Sequence, residues 1–592
     1  MNATLTDAGA AAEGPSGDDA AHPVASSVSS RRPKWWSGPR WYQVGLGGVA
    51  LAALAVRLYN VLVVRPTCRE DIIAVIEQTG SKDFTPTGGQ NACFGIWGDS
   101  AYYYIQGRQI ARGNWFIDSY SWFASGGERF KPSSGNPPMF SMFLGLISKL
   151  GLTSGTSMRV ATAVLGVLGV VLIVTLTRKL AGPRAAIVAG VIAAVYPMLW
   201  INDGMLLSET LYVPMILLAL HAAYRFWEKP GYGSAALFGL MMGFAALTRG
   251  EAIILLGVMV LPLLWGMREK GLGTLVKYAA ITYLVGAAVI APWIAYNRSR
   301  FREPVLMTSS TGAVLSSANC DITYYTESIG YYGNCFDEYV AKGLLIGKIP
   351  GCTQEVVDKA KFDPTGAEAA KCWPNDPNLD ESERDKFGSE IAIEYMKTHK
   401  SRLPIVMAAR IGRMWDVYMP DLGRDDEPFG QNVRFNWQVE GRGQKASQTG
   451  LLMFYALWPF ALIGGLWMWR RRVPLSPLLS MTIVITITSA FTFGITRYRV
   501  PVDIMMVVMA GAGIEWILQK IWPRADVGSL LRLRHPRGRD RSEIDRPSAE
   551  LGTDPQNDVT DPAAALAAIA APAGASPPIT GTAPSTPRTP DG

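Results

Sequence analysis

The sequence predicts an all-α, polytopic membrane protein with about ten transmembrane helices. Hydrophobic residues make up 49% of the 592-residue chain, and the mean hydropathy is +0.14. Both values are high for a soluble enzyme. The apolar residues form long blocks instead of amphipathic stripes, and short clusters of Lys and Arg separate the blocks. This arrangement is typical of a chain that crosses the bilayer many times.

The first apolar block, Tyr42–Val64, is long enough to cross a bilayer. It lies too far along the chain for a cleaved signal peptide, so we expect a retained signal anchor. Further candidate spans follow, of which the short, glycine-containing Ala235–Leu247 has the weakest signal. They are Met158–Thr177, Ala185–Trp200, Thr210–Phe226, Ala235–Leu247, Ala252–Met267, Tyr278–Tyr296, Leu451–Trp469, Leu478–Phe493 and Val500–Trp522.

The composition divides the chain into tails, membrane parts and one long polar segment. Both ends are rich in small residues or proline without periodicity, which predicts disorder. The predicted parts are a cytoplasmic tail (1–41), a membrane domain (42–296) with a first outer loop (65–157), an extracytoplasmic segment (297–450), the C-terminal spans (451–522) and a second cytoplasmic tail (523–592).

The basic clusters orient the predicted spans. If the spans alternate, all the clusters fall on one side, which the positive-inside tendency makes cytoplasmic. The clusters are Arg31–Trp36, Arg178/Lys179/Arg184, Arg225/Lys229, Arg268/Lys270/Lys277, Arg470–Arg472 and Lys520/Arg524. We therefore expect a protein of the plasma (inner) membrane with both termini in the cytoplasm. Because the cations are dispersed, the net charge of +7 does not indicate nucleic acid binding.

All six cysteines then fall on the extracytoplasmic side, where disulfides persist. The spacings predict three bridges, with six unrelated thiols as the alternative. The predicted pairs are Cys68–Cys93, Cys320–Cys335 and Cys352–Cys372.

Asp99 is the first candidate for chemistry. It follows the first apolar block on the predicted outer side, beside Tyr102 and Tyr103 in GDSAYYY. An acid in this position suits general-base catalysis. The alternative is that Asp99 simply caps a helix that ends near Gly113.

Cations at the predicted outer edge are the second candidate site. Arg249 in LTRGE and Arg497 and Arg499 in TRYRVP each lie at the end of an apolar block, against the positive-inside tendency. Such cations need an anion, and arginine binds the phosphate of a lipid headgroup well. The alternative is snorkelling at the interface. Glu209, in LLSETLYVP, is either a helix cap or a second acid on the same side as Asp99.

The order of short motifs resembles the GT-C superfamily of lipid-linked-sugar glycosyltransferases, in the branch of the protein O-mannosyltransferases and aminoarabinose transferases. The motifs are Asp99-x-x-Tyr-Tyr, Gly113-N-W-F, Asn136-Pro-Pro-Met-Phe, Ser208-Glu-Thr-Leu-Tyr, Gly243-F-A-A-L-T-R-G-E, Pro292-W-x-x-Tyr-Asn-Arg and Arg497-Tyr-Arg-x-Pro. The resemblance covers roughly residues 94–319 and 391–516. It implies a GT-C-like membrane fold with an extracytoplasmic, disulfide-containing insertion.

The resemblance also implies roles for particular residues. Asp99 takes the position of the family's first-loop acid, and Glu209 is the second catalytic candidate. By the resemblance Arg249 and Arg497 take the donor phosphate. Independently of it, we expect Tyr498 to assist at the phosphate and Tyr102, Tyr103 and Asn136 to contact substrate. Many relatives carry Asp-Glu where this chain has Asp99-Ser100, so a metal site built from neighbouring acids is not implied.

These observations together predict an integral membrane glycosyltransferase. It would move a hexosyl or pentosyl group from a polyprenyl-phosphate donor to a glycan, protein or lipid acceptor on the extracytoplasmic face. The sequence indicates no certain cofactor, and a divalent metal is possible but optional because Arg can stabilise a monophosphate leaving group. The alternatives are a multispan transporter or lipid flippase and a scaffold that binds a partner. Many transporters contain an internal repeat with broken helices, and the sequence shows no such repeat, which disfavours a transporter.

Overall fold

The computed structural model describes residues 39–64, 98–347, 349, 352–360, 379–418 and 444–522. Within these ranges all regular structure is helical, apart from an isolated bridge between Ile117 and Pro132. The predicted all-α class is thereby confirmed. Except for residues 39–41, the predicted tails lie outside the described ranges.

The helices before residue 300 are α1 (Arg40–Tyr59, extended by a π-helical turn over Asn60–Val64), α2 (Asp99–Ala111), α3 (Ser119–Ala124), α4 (Pro138–Lys149), α5 (Gly155–Ala181), α6 (Pro183–Val195), α7 (Pro197–Trp200), a 3-10 turn (Asn202–Met205), α8 (Glu209–Glu228), α9 (Tyr232–Thr248), α10 (Ala252–Gly266), a 3-10 turn (Arg268–Lys270) and α11 (Leu272–Arg298).

The later helices are α12 (Thr311–Ala318), α13 (Asp321–Tyr325), α14 (Phe336–Ala341), α15 (Gln354–Ala360), α16 (Glu381–Thr398), α17 (Leu403–Met414), α18 (Gln444–Arg470), α19 (Ser476–Phe491), a 3-10 turn (Thr496–Arg499) and α20 (Val500–Ile521).

Each of the ten predicted apolar blocks is helical, but the predicted count of ten spans is not confirmed. Among the described residues, five helices are long and apolar enough to cross a membrane, or six if one bent pair counts as a single span. The five are Arg40–Val64, Gly155–Ala181, Leu272–Arg298, Lys445–Arg470 and Thr496–Ile521. Helices α9, α10 and α19 are apolar but shorter, and His221 and Arg225 interrupt the apolar run of α8. The chain is a multi-pass membrane protein whose bundle combines full-length and short helices.

The bent pair consists of α6 and the stretch Pro197–Met205, which turn by 69° at Tyr196. Pro197 begins the second piece, because proline favours the first turn of a helix and interrupts the one before it. A buried ion pair holds this bend, with Arg57 Nε of α1 lying 2.7 Å from Asp203 Oδ2. The chain continues from this bend through residues 202–208 to Glu209, the first residue of α8.

The last helix forms the centre of the bundle, since 83% of the apolar window of Thr496–Ile521 is buried. Helix α18 packs against it at unusually short range. A Cβ atom added at Gly464 would overlap the carbonyl oxygen of Met509, and one added at Gly513 would overlap that of Phe460. Small residues at these positions let the two backbones approach each other, as is usual for helix pairs in membranes.

The segment 297–450 forms a small core of its own around Cys320, Tyr324, Tyr339 and Tyr395. The predicted Cys320–Cys335 disulfide is present, with a Cα–Cα distance of 5.6 Å. Cys352 is also disulfide-bonded. Cys68, Cys93 and Cys372 lie outside the described residues.

Helix α17 joins this segment to the membrane helices. Arg413 Nε donates to the carbonyl of Ile329 at 2.6 Å, and Arg410 Nη1 donates to that of Ala490 at 3.2 Å. Both arginines are buried. Arg413 therefore holds α17 against another part of the segment, and Arg410 holds α17 against α19.

Candidate functional site

Asp99 is the first residue of α2, and Gly98 precedes it in a left-handed conformation with φ of 53°. Gly98 occupies the cap position, so the interpretation of Asp99 as the N-cap is wrong. A carboxylate in the first helical turn is still stabilised by the helix dipole. The Asp99 side chain is 37% exposed, and its Oδ2 lies 2.8 Å from Arg497 Nη1. One acid of the predicted site therefore meets one of its cations across 398 residues of sequence.

Glu209 lies between the two predicted phosphate-binding arginines. Its Oε1 lies 2.5 Å from both Arg497 Nε and Arg249 Nη1, and its Oε2 accepts from Arg497 Nη2 at 3.3 Å. Only 2% of its side chain is exposed. Glu209 thus holds two guanidinium groups side by side at the start of α8.

Arg249 is also held from its other side. Its Nε lies 2.5 Å from Glu251 Oε1, and its guanidinium lies 5.3 Å from the ring centre of Tyr498, within cation–π range. The described groups form a charged row, in the order Asp99, Arg497, Glu209, Arg249 and Glu251, which we call the ion-pair row. Tyr498, the third predicted donor-binding residue, borders this row.

Arg499 is separate from the row although it is only two residues from Arg497. It is fully buried, and it pairs with Asp416 at 2.6 Å and Asp503 at 3.3 Å. Tyr196 donates to the same Asp503 carboxylate at 3.0 Å. The sequence predicted that cations at these positions need an anion, and for Arg499 the anions are buried side chains of the protein itself.

A cavity of about 760 Å³ adjoins the ion-pair row, and Asp99 is one of its lining residues. Of the predicted substrate contacts, Tyr102 and half-buried Asn136 also line it. Tyr103 does not, because it is buried behind Asp99 with its ring 4.9 Å from that of Phe140. Burial raises the pKa of Tyr103 well above its usual range, so this tyrosine stays protonated.

The opposite wall of the cavity comes from α16, where sequence reasoning named no site residue. Glu381 accepts the backbone N–H of Ser134 at 2.7 Å and the hydroxyl of Ser133 at 3.1 Å. Asp385 accepts the backbone N–H of Gly312 at 2.5 Å. Burial raises the pKa of Glu381 to about 7 and that of Asp385 to about 6. The acid-rich helix start NLDESERDK was the available signal, but it predicts only capping.

A metal centre is not evident among the described side chains, since no cluster of three or more His, Cys, Asp and Glu groups has the required arrangement. The residues that converge are instead two arginines, their carboxylate partners and the polar wall of the cavity. Such a site can bind a phosphate beside an acid that is open to a second substrate.

Two solved structures align with the chain at low similarity. One is the archaeal oligosaccharyltransferase AglB from Archaeoglobus fulgidus in complex with an inhibitory peptide and a dolichol-phosphate, with 14% identity and a TM-score of 0.45 over 85% of this chain and 53% of that one. The other is ArnT from Cupriavidus metallidurans bound to undecaprenyl phosphate, with 16% identity and a TM-score of 0.34 over 82% and 80%. The chain spans about half the length of the archaeal oligosaccharyltransferase chain.

The comparison by sequence is more local. No curated protein sequence matches the chain. Residues 135–296 match the family model of the dolichyl-phosphate-mannose-protein mannosyltransferases, a range that includes Asn136, Glu209 and Arg249 but neither Asp99 nor Arg497. Over this range the chain is similar to that family, which confirms the resemblance that the order of its motifs predicts.

Proposed function

We propose that the protein is a membrane glycosyltransferase that moves a sugar from a polyprenyl-phosphate donor to an acceptor on the extracytoplasmic face. The observation that carries this proposal is the position of Asp99, which lines the cavity and also pairs with Arg497 of the ion-pair row. The proposed base for the acceptor, Asp99, is thus in direct contact with one of the cations proposed to bind the donor phosphate, Arg497. The family match over residues 135–296 and the order of the motifs support the same activity.

Arg249 and Arg497 bind the donor phosphate in this proposal. Arg249 donates two of its five N–H groups to Glu209 and Glu251, which leaves others for phosphate oxygens. A guanidinium at such a site favours a planar, bidentate contact with phosphate. Tyr498, beside Arg249, closes this end of the phosphate site.

Glu209 acts as a positioning residue. It is almost fully buried and its carboxylate contacts both arginines, so it is poorly placed to take a proton from an acceptor in the cavity. Its charge also offsets the repulsion between two neighbouring guanidinium groups. We therefore assign the proton transfer to Asp99 and the spacing of the cations to Glu209.

The reaction is a single displacement. An acceptor hydroxyl attacks the anomeric carbon as Asp99 takes the hydroxyl proton, and the bond between that carbon and the phosphate oxygen breaks. The bonding electrons leave with the lipid phosphate, whose charge Arg249 and Arg497 stabilise. One displacement at the anomeric carbon inverts its configuration. No step requires a metal ion, although a bound cation could share the phosphate charge.

The basic clusters support an extracytoplasmic site, in a plasma membrane protein whose two termini are cytoplasmic. Single cysteines introduced at Lys229 and Ser310 test this orientation in intact cells. An impermeant thiol reagent should label position 310 and not position 229. The reverse pattern would place the site on the cytoplasmic side.

Purified protein in detergent tests the activity itself. We expect it to transfer sugar from extracted polyprenyl-phosphate sugar to envelope material of cells that lack the gene. A flippase, the alternative from the sequence, gives no product in detergent because there are no two leaflets to connect. Transfer that is equally fast with the Asp99→Asn variant would contradict the role of Asp99, and no transfer with any envelope fraction would contradict the activity.

A further inference from the structure

The cavity beside Asp99 has a lining that indicates which chemical class of acceptor it receives. One wall comes from α2, α3 and the loop before α4, with Tyr102, Tyr120 and Asn136, and the other comes from α16 in the 297–450 segment. The family resemblance covers that segment only near its ends. Asp385 of α16 lies outside the range of the resemblance and lines the cavity of the proposed reaction site.

Most of the lining can form hydrogen bonds. Hydroxyl groups come from serines on both walls, among them Ser121, Ser133 and Ser309, and carboxylates come from α16 and from residues near α3. Ala313 and Phe336 are the apolar side chains of the lining other than the tyrosine rings. A lipid chain would need a predominantly apolar wall. The many hydrogen-bonding residues of the lining suit an acceptor that is rich in hydroxyl groups.

The exposed ring of Tyr120 provides the surface that a sugar ring needs. Tyr120 is 53% exposed although it lies in the cavity, and its ring centre is 6.5 Å from that of buried Tyr102 at an angle of 36°. The C–H face of a pyranose packs on such rings while its hydroxyls bond to the polar groups around them.

The charge of the lining restricts the acceptor further. Its carboxylates belong to Asp99, Asp118, Glu128, Glu381 and Asp385, and its cations belong to Arg129, Lys131 and Arg384. Burial raises the pKa of Glu381 and of Asp385, so the remaining acids and the cations of the lining are equal in number, and no surplus of positive charge is present to bind an anionic glycan. A neutral or amino-substituted saccharide needs no such surplus.

We propose that the acceptor is the end of a neutral or amino-substituted glycan, which enters this cavity with a sugar ring on Tyr120 and presents a hydroxyl to Asp99. This inference rests on the proposed transferase function. It assigns Tyr120 as a specificity residue that contacts the acceptor and not the donor.

Analysis of the envelope of gene-deleted cells distinguishes a failure of the proposed acceptor class from a failure of the proposed transferase function. Its glycans, proteins and lipids are fractionated and compared by mass with those of complemented cells. We expect one sugar to be missing from a neutral or amino-substituted glycan. A sugar missing from protein, from lipid or from an anionic glycan would overturn the acceptor class and leave the transferase function intact. No difference in any fraction would contradict the function itself.

Kinetics with that glycan fraction test the cavity directly. Tyr120→Ala should raise the KM for the glycan roughly tenfold, about the value of one aromatic contact, and leave the KM for the lipid donor unchanged. The matched control is Tyr325→Ala, because Tyr325 is 55% exposed in the 297–450 segment and does not line the cavity. An unchanged glycan KM in the Tyr120 variant, with wild-type donor kinetics that show an intact fold, would remove the glycan from this cavity.

Discussion

The carboxylate of Asp99 lies 2.8 Å from the guanidinium of Arg497, although 398 residues separate them in the chain. The contact joins the beginning of α2 to the 3-10 turn Thr496–Arg499 before the last helix. The contact places Asp99, the proposed base, next to Arg497, which we propose binds the donor phosphate. The predictions below ask whether the two residues have the different roles that this geometry supports.

Replacing Asp99 by Asn should lower the turnover number by roughly 10²–10⁴-fold, the usual contribution of a general base. Asn keeps the size of the side chain and can still accept a hydrogen bond from Arg497. We expect the donor KM to change little, as measured with purified enzyme. The control is Glu128→Gln, which removes the charge of an exposed residue lining the same cavity. Equal turnover in the Asn variant and the control would assign the base to another group.

Arg497→Lys should weaken donor use more than acceptor use. Lysine keeps the charge, but it cannot contact Asp99 and both Glu209 oxygens with a planar fork. Loss of one charge-assisted hydrogen bond costs about 1.5–3 kcal/mol, or a rise in donor KM of roughly 10–100-fold. Arg302→Lys is the control, since Arg302 is 66% exposed and pairs with Glu383 of α16 instead of with a member of the ion-pair row. A wild-type donor KM in the Arg497 variant would contradict phosphate binding.

Glu209→Gln distinguishes a positioning acid from a catalytic one. The neutral amide cannot offset two guanidinium charges, so Arg249 and Arg497 should separate and the donor KM should rise. The pH dependence of turnover should stay that of the wild type, because Asp99 still takes the proton. A change in the pH profile with an unchanged donor KM would instead make Glu209 the acid or base of the reaction.

The cations of the ion-pair row were predictable from the sequence, because a cation at the end of an apolar block is unusual and requires an anion. That reasoning found Arg249 and Arg497, whereas Asp99 and Glu209 were found separately, as acids on the predicted outer side. The sequence could not show that these acids are the ion-pair partners of the arginines, because the packing of the helices determines which helix ends come together. For the same reason it grouped Arg499 with Arg497, whereas Asp416 and Asp503 keep Arg499 buried elsewhere.

The cavity wall on α16 was not predictable. Glu381 and Asp385 read as ordinary residues of an exposed, capped helix, and their burial depends on contacts with Ser134 and Gly312. The predicted count of ten spans is not confirmed for a different reason. Hydropathy identifies apolar blocks, but it does not fix helix length, and α10 has only 15 residues, fewer than a full span of the bilayer needs.

The Cys320–Cys335 bridge should stabilise the 297–450 segment. In the chain-entropy model, closing a loop of this length contributes about 3 kcal/mol. Cys320→Ser/Cys335→Ser should therefore lower the unfolding temperature and make the segment more sensitive to limited proteolysis. Peptide mapping under non-reducing conditions should recover the two cysteines as one linked pair in the wild type. Free thiols at both positions would contradict the bridge.

The last prediction concerns pH and the contact between α16 and the opposite wall of the cavity. Burial raises the pKa of Glu381 from 4.5 to about 7, so the folded protein holds a proton that the unfolded chain releases between these values. Stability from this group is therefore fully present below about pH 4.5 and is lost as the pH rises through about 7. The change amounts to roughly 3 kcal/mol for a shift of this size. Asp385, whose pKa rises from 3.8 to about 6, contributes in the same direction at lower pH.

Thermal unfolding of the purified protein between pH 5 and pH 8 measures this effect. We expect the wild-type unfolding temperature to fall over that range, and Glu381→Gln to remove most of the decline above pH 6 because the amide stays neutral while it accepts from Ser134. Asp385→Asn is the matched control, and its effect should be confined to the acidic part of the range. If the Gln variant and the wild type lose stability in parallel above pH 6, the carboxyl of Glu381 is already ionised in the folded protein and the contact with Ser133 and Ser134 is not sensitive to pH.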